Sequence, residues 1–124
     1  MCLSNRRENV LALLQEKDIC LIPVCPEQLG GMSTPRLPSE RKNDRVIQKS
    51  GTDVTDFFES GAREALRIAK LWDCDTAILK AKSPSCGCGR VYDGSFSKTL
   101  VDGDGIACKL LKDNGYKIIT EKEI

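Results

Sequence analysis

Brief apolar runs alternate with amphipathic segments along this chain, and that alternation restricts the fold more than any other feature of the sequence. ICLIPV (19–24), TAILKA (76–81) and YKIIT (116–120) have strand length, and the unbroken hydrophobicity of the first is the pattern of a strand covered on both faces. Between the first two, Phe57, Phe58, Gly61, Ala62, Ala65, Ile68, Ala69 and Trp72 recur at helical spacing. They predict the longest helix, over 53–72, with Asp53 as its cap, Asp56 favourable to its dipole, and Phe57, Phe58 and Trp72 in the core. VLALL (10–14), preceded by Asn5 and Glu8 at capping-box spacing, predicts an earlier helix. Asp104 is expected to cap a further helix through Leu111, stopped by Asn114-Gly115. Strands and helices in alternation imply an α/β fold: a parallel sheet flanked by helices, in a three-layer Rossmann- or flavodoxin-like order with right-handed crossovers. The stretch 25–51, with Pro26, Pro35 and Pro38, and the glycine-rich 83–94 are expected to be loops. A connection as long as the first is usually functional.

The 124 residues, 40% of them hydrophobic, suffice for one domain over 1–124 with a modest core. Charged residues reach 30% but nearly cancel, at net +1, so no global field favours a nucleic acid polymer. No apolar run approaches membrane-spanning length. Seven cysteines would suit a secreted disulfide framework. The count is odd, however, and MCLSNRREN lacks the apolar core of a signal peptide, which points to the cytoplasm instead. There Cys20, Cys74 and Cys108, beside apolar stretches, are expected to be small buried hydrophobes. Cys25, Cys86 and Cys88 lie among Pro, Gly and Ser after strands.

In open parallel sheets, ligands bind beyond the carboxyl ends of the strands. Cys25 follows the first strand and Cys86 the second, so both sulfurs are expected to face one cavity. Blander readings stand beside this one. CPEQLGG is also a plain strand exit with a glycine turn. Cys86-Gly-Cys88 would be a weak zinc pair, without histidine or a second paired motif. Arg36 suits either an anion clamp or a structural ion pair.

VCPEQLGGMSTPR (24–36), GTDVTDFFESGA (51–62), AILKAKSPSCGCG (77–89), YDGSF (92–96) and GDGIACKLLKDNGYKI (103–118) are in register with one known pattern. Together they resemble the bacterial family, long a domain of unknown function, now typified by 2-thiouracil desulfidase. The resemblance implies a four-iron, four-sulfur cluster held by three cysteines, with the fourth iron open to take sulfur from a small thiolated base or similar thiocarbonyl. Carried over by motif, Cys25 and Cys86 are two of the ligands. The third lies, in the family, in a SACLLG strand followed by a CRYDG-like turn. This chain begins after both, so the fold's first strand is expected to be absent, and Cys2 is the candidate third ligand. An exposed sheet edge there would invite a homo-oligomer.

The chemistry is consistent with that assignment. Thiolates suit iron-sulfur clusters, and three protein ligands leave one metal position for substrate. Glycines beside Cys86 permit close backbone approach to inorganic sulfide. Glu27, Ser83 and Ser85 are nearby polar groups suited to orienting water or moving protons, and Arg36 to binding substrate. With only two cysteine ligands the chain is expected to bind iron poorly unless Cys2 or Cys88 completes the set. The competing expectation is a non-catalytic paralogue that serves as a small-molecule or metal-binding module.

Overall fold

The structure, a computed structural model, describes residues 22–120. In chain order the elements are α1 (Pro26–Leu29), β1 (Ser39–Lys42), β2 (Arg45–Gln48), α2 (Thr55–Leu71), β3 (Thr76–Leu79), β4 (Arg90–Tyr92), β5 (Leu100–Asp102), α3 (Ile106–Asp113) and β6 (Lys117–Thr120). β3 and β6 pair in parallel, from Thr76 opposite Lys117 to Leu79 opposite Thr120. β1–β2 and β4–β5 are antiparallel. The result is a mixed α/β fold with one parallel pair, its described strands divided into three two-stranded sheets. Residues 22–24 carry no strand. Residues 19–21, the 10–14 helix, Cys2 and Cys20 lie outside the described residues. No helix among the described residues is long and apolar enough to cross a membrane.

The stretch 25–51 is not a plain loop. It holds α1 and the β1–β2 hairpin, whose two-residue turn places Asn43 at φ +55°, a conformation that asparagine tolerates. The hairpin escapes a periodicity reading because its buried positions include Ser39 and Glu40 as well as Val46. The Glu40 carboxylate accepts the Gly94 N–H at 3.0 Å and the Phe96 N–H at 3.1 Å. YDGSF therefore forms a turn that satisfies a buried acid. Gly94 has φ +97°, and a Cβ there would lie 2.8 Å from Lys42 Cβ, so only glycine fits without displacement.

Thr55 joins the hairpin to α2. Its buried hydroxyl accepts the Val46 N–H at 2.8 Å and donates to Asp53 Oδ1 at 2.6 Å, and the same oxygen accepts the Thr55 N–H at 2.9 Å. Val54 rather than Asp53 is the N-cap, and the helix starts at Thr55. Asp53 nonetheless organises that start, and Arg45 pairs with it at 2.8 Å. The Arg45 hydrogen bond, followed by those from the Thr55 hydroxyl and amide, holds the Asp53 carboxyl down from 3.8 to about 2. A carboxyl lowered by folding contributes stability above its unfolded value and loses it as pH falls through its folded value. The stability gap between wild type and Asp53→Asn in urea unfolding is thus expected to narrow as pH falls from 3.8 through about 2. A gap independent of pH would contradict this role.

α2 buries Thr55, Phe58, Gly61, Ala62 and Ala65, one face at helical spacing. Phe58 joins Val46 and Val54, with Met32 and Ile106 against them. A second cluster unites Leu79, Cys86, Cys108 and Leu111, flanked by Leu66, Ala69 and Ile118. Two of the expected core aromatics lie elsewhere: Phe57 is 44% exposed and Trp72 61%. Phe57 stands between buried Thr55 and Phe58, off the buried stripe, where its ring approaches Gly31. Trp72 is the C-cap, past the last helical residue, where no described element covers it. Cys108 is buried as expected, whereas Cys74, in the turn after α2, is only partly so.

α1 lies directly on α2 through two glycines. A Cβ on Gly61 would sit 1.7 Å from the Pro26 carbonyl oxygen, and one on Gly30 would sit 1.8 Å from that of Phe57. Backbone meets backbone there, and this contact sets the position of Cys25, the residue that caps α1.

Candidate functional site

Two segments line one open cleft of about 890 Å³, within the size range of small-molecule sites. From the first come Cys25, Glu27, Thr34 and Arg36, and from the second Lys80, Lys82 and Ser83. Cys25 is partly buried. Arg36 binds the first segment together: its Nε donates to Glu27 Oε1 at 3.2 Å, and its Nη1 to the Ser33 carbonyl at 3.1 Å and Thr34 Oγ1 at 2.9 Å. Its Nη2 lies 3.8 Å from Cys25 Sγ. One guanidinium thus fixes the carboxylate and places a permanent positive charge beside the sulfur. Of the two readings of Arg36, the ion pair is the one observed, and both of its members line the cleft.

The second segment is shaped by hydroxyl and main-chain bonds. Ser83 Oγ accepts the N–H groups of Ser85 at 3.1 Å and Cys86 at 3.2 Å. A hydroxyl has two acceptor positions and one proton, so with both acceptors engaged Ser83 retains only its proton to offer the cleft. Lys82, just before it, holds φ +69°, an uncommon backbone state for a non-glycine residue.

The loop is fastened to α3 by its carbonyls. The N–H groups of Ile106, Ala107 and Cys108 bind Pro84 O at 2.9 Å, Ser85 O at 2.9 Å and Ser85 O at 3.1 Å, and Gly105 N–H binds Gly87 O at 2.7 Å. These are the donors that a helix N-terminus leaves unpaired. Asp104 does not cap the helix as expected. Gly105 is the N-cap, and Asp104 instead accepts the Gly89 N–H at 2.7 Å and pairs with Lys112. A Cβ on Gly105 would lie 2.4 Å from Ser85 O, so glycine is what permits the loop to lie so close.

The cleft brings Cys25, Glu27, Arg36 and Ser83 together. It does not include Ser85 or Cys86. Cys86 is fully buried, packs with Leu79, Cys108 and Leu111, and is not among the residues that line this cleft. The turn that Ser83 caps directs Cys86 toward α3. Ser85 Oγ is buried with no hydrogen-bond partner among the described residues, an uncommon condition for a hydroxyl. Sequence reasoning missed Glu40, Lys80 and Lys82 on the cleft rim. The lysines alternate along the exit of a strand, which is a readable signal, whereas Glu40 had none.

A family model described as 2-thiouracil desulfurase matches residues 3–123. An uncharacterized protein of Bacillus subtilis (strain 168), YbbK, is 39% identical over 127 residues, covering 94% of this chain and 83% of that relative. Among solved structures, a 4Fe-4S-dependent thiouracil desulfidase, TudS, superposes with a TM-score of 0.83 at 36% identity, over 99% of this chain and 78% of that one. The residues present here suit an iron-sulfur group in donor type. Cys25 and Cys86 offer soft thiols, the described cysteines form no disulfide, and Ser85, next to Cys86, has a buried hydroxyl with no hydrogen-bond partner among the described residues.

Proposed function

The chain belongs to the 2-thiouracil desulfurase family, and from that premise we propose that it hydrolyses the C=S bond of a small thiolated base of the 2-thiouracil class. Water supplies the oxygen of the new C=O, sulfur leaves as hydrogen sulfide, and no net electron transfer is needed. The observation that carries this reading is the convergence of Cys25, Glu27, Arg36 and Ser83 on one cleft. When bound, a four-iron, four-sulfur cluster supplies a Lewis-acidic position for the thiocarbonyl sulfur. We assign Cys25 and Cys86 to hold it, with Cys2, outside the described residues, as third ligand.

The protein's own groups divide the remaining work. Ser83 offers a proton donor toward the substrate. Glu27, held by Arg36 Nε at 3.2 Å, is oriented to accept a proton from water. Arg36 thus acts on the substrate chiefly as a positioning residue for Glu27. Ser85, off the cleft, is assigned to the buried surroundings of Cys86 rather than to proton transfer. The lack of disulfides among the described cysteines fits a reducing cytoplasm.

The test is anaerobic reconstitution of the full chain with iron and sulfide, followed by assay of 2-thiouracil conversion to uracil and sulfide. Uptake of about four irons per chain with sulfide release is expected. A full cluster with no sulfide released from any thiolated pyrimidine would move the assignment to a binding module. Ser83→Ala is expected to lower the rate by roughly 10²–10⁴-fold, the usual reach of acid-base catalysis, with iron content retained. Loss of iron in parallel with rate would instead give Ser83 a purely structural part, since the same oxygen holds the Ser85 and Cys86 amides.

A further inference from the structure

A second group of soft ligands lies on the far side of the Cys86 loop. The sulfurs of Cys88 and Cys108 and a carboxylate oxygen of Asp104 all lie within 4.8 Å of one another. Asp104, Cys108 and Lys112 stand four residues apart along the start and face of α3, so they share one side. Cys88 is brought over them by the Gly105–Gly87 hydrogen bond, and the Gly89 N–H at 2.7 Å fixes the Asp104 carboxylate. None of these three ligands lines the cleft.

We infer that Cys88, Asp104 and Cys108 form a binding site for a thiophilic divalent cation of the zinc class, separate from Cys25 and Cys86. Zinc takes thiolate at about 2.3 Å and carboxylate at about 2.0–2.2 Å in tetrahedral array. Ligand atoms then stand roughly 3.5–3.8 Å apart, and side-chain adjustment from the present spacing reaches that. Two sulfurs and one oxygen leave a fourth position open, which makes the site exchangeable rather than structural. Cys108 forms the buried floor, while Cys88 and Asp104 are partly exposed and admit the ion.

A cation already stands at the group. Lys112 Nζ lies 3.2 Å from both Asp104 oxygens. Lys112 is therefore the competitor that a metal must displace. A metal here would tie the Cys86 loop to α3 through side chains in addition to main chain.

The inference does not depend on the desulfidase reading, because its readout is metal uptake and not sulfide release. The full chain, freed of iron and carrying Cys25→Ser to disable the other thiol site, is titrated with Co²⁺ and then Zn²⁺. One Co²⁺ per chain with thiolate-to-cobalt charge-transfer absorption, discharged by Zn²⁺, is expected. Adding Cys88→Ser should abolish the absorption. Asp104→Asn should weaken binding about tenfold and Lys112→Met should tighten it about tenfold, within the range that groups around a metal typically exert. Lys112→Met keeps every ligand and removes no buried group, so its result stands even if Cys108→Ala proves unstable. Absence of charge-transfer absorption, its persistence in Cys88→Ser, or unchanged affinity in Lys112→Met would each overturn the assignment.

Discussion

Cys25→Ser is expected to abolish sulfide release and to strip most of the iron from anaerobically reconstituted protein. Cys25 lines the cleft with its sulfur 3.8 Å from Arg36 Nη2, and the loop holding it is fixed by Arg36, Thr34 and the contact between α1 and α2. Serine preserves shape and hydrogen bonding but offers a hard oxygen, which suits iron-sulfur ligation poorly. The loss should exceed the roughly 10–100-fold that a group outside the ligand set produces. Arg36→Lys supplies the contrast. It retains a charge but loses the fork that holds Glu27 and Thr34 together, so it should slow turnover while iron is retained. If Cys25→Ser kept both iron and rate, the assignment of Cys25 would be wrong and the cleft would have to act without it.

Gly61→Ala is expected to unfold the protein more easily and to disable the cleft with it. In an isolated helix the exchange would stabilise by about 1 kcal/mol. Here the new methyl would stand 1.7 Å from the Pro26 carbonyl oxygen and 2.7 Å from its carbon. Both are backbone, so neither can rotate aside, and α1 must lift from α2. Overpacking of this kind costs about 1–3 kcal/mol and sometimes more, which outweighs the propensity gain. Urea unfolding should show the lower stability. A protein as stable as wild type would mean that α1 does not lie on α2 in this way.

What the sequence disclosed follows from which forces are local. The α2 stripe, the two parallel strands and α3 are legible because hydrophobic period is a property of neighbouring residues. Period alone does not say where a helix runs out of partners, and so Phe57 and Trp72 pass for core. The β1–β2 hairpin is hidden by its composition, since SERK carries polar residues at its two buried positions and RVIQ buries only Val46. Burial of Glu40 rests on amides at Gly94 and Phe96, far along the chain, and no nearby residue announces it. Cys25, Glu27, Arg36 and Ser83, singled out by their motifs, all line the cleft. The separation of Cys86 from the cleft, and the meeting of Cys88 with Cys108, depend on the register of carbonyls against α3, which no spacing rule contains.

That register also has a bearing on how the loop tolerates change. Pro84, Ser85 and Gly87 are moored to α3 through carbonyl oxygens, atoms that every amino acid possesses. Except where Gly87 and Gly105 leave no room for a Cβ, exchanging a side chain in this segment leaves the mooring lines in place. Position 88 is therefore free to drift among residue types while Cys86 keeps its address, and new reactivity can arise beside an old reagent without rebuilding the frame that carries both.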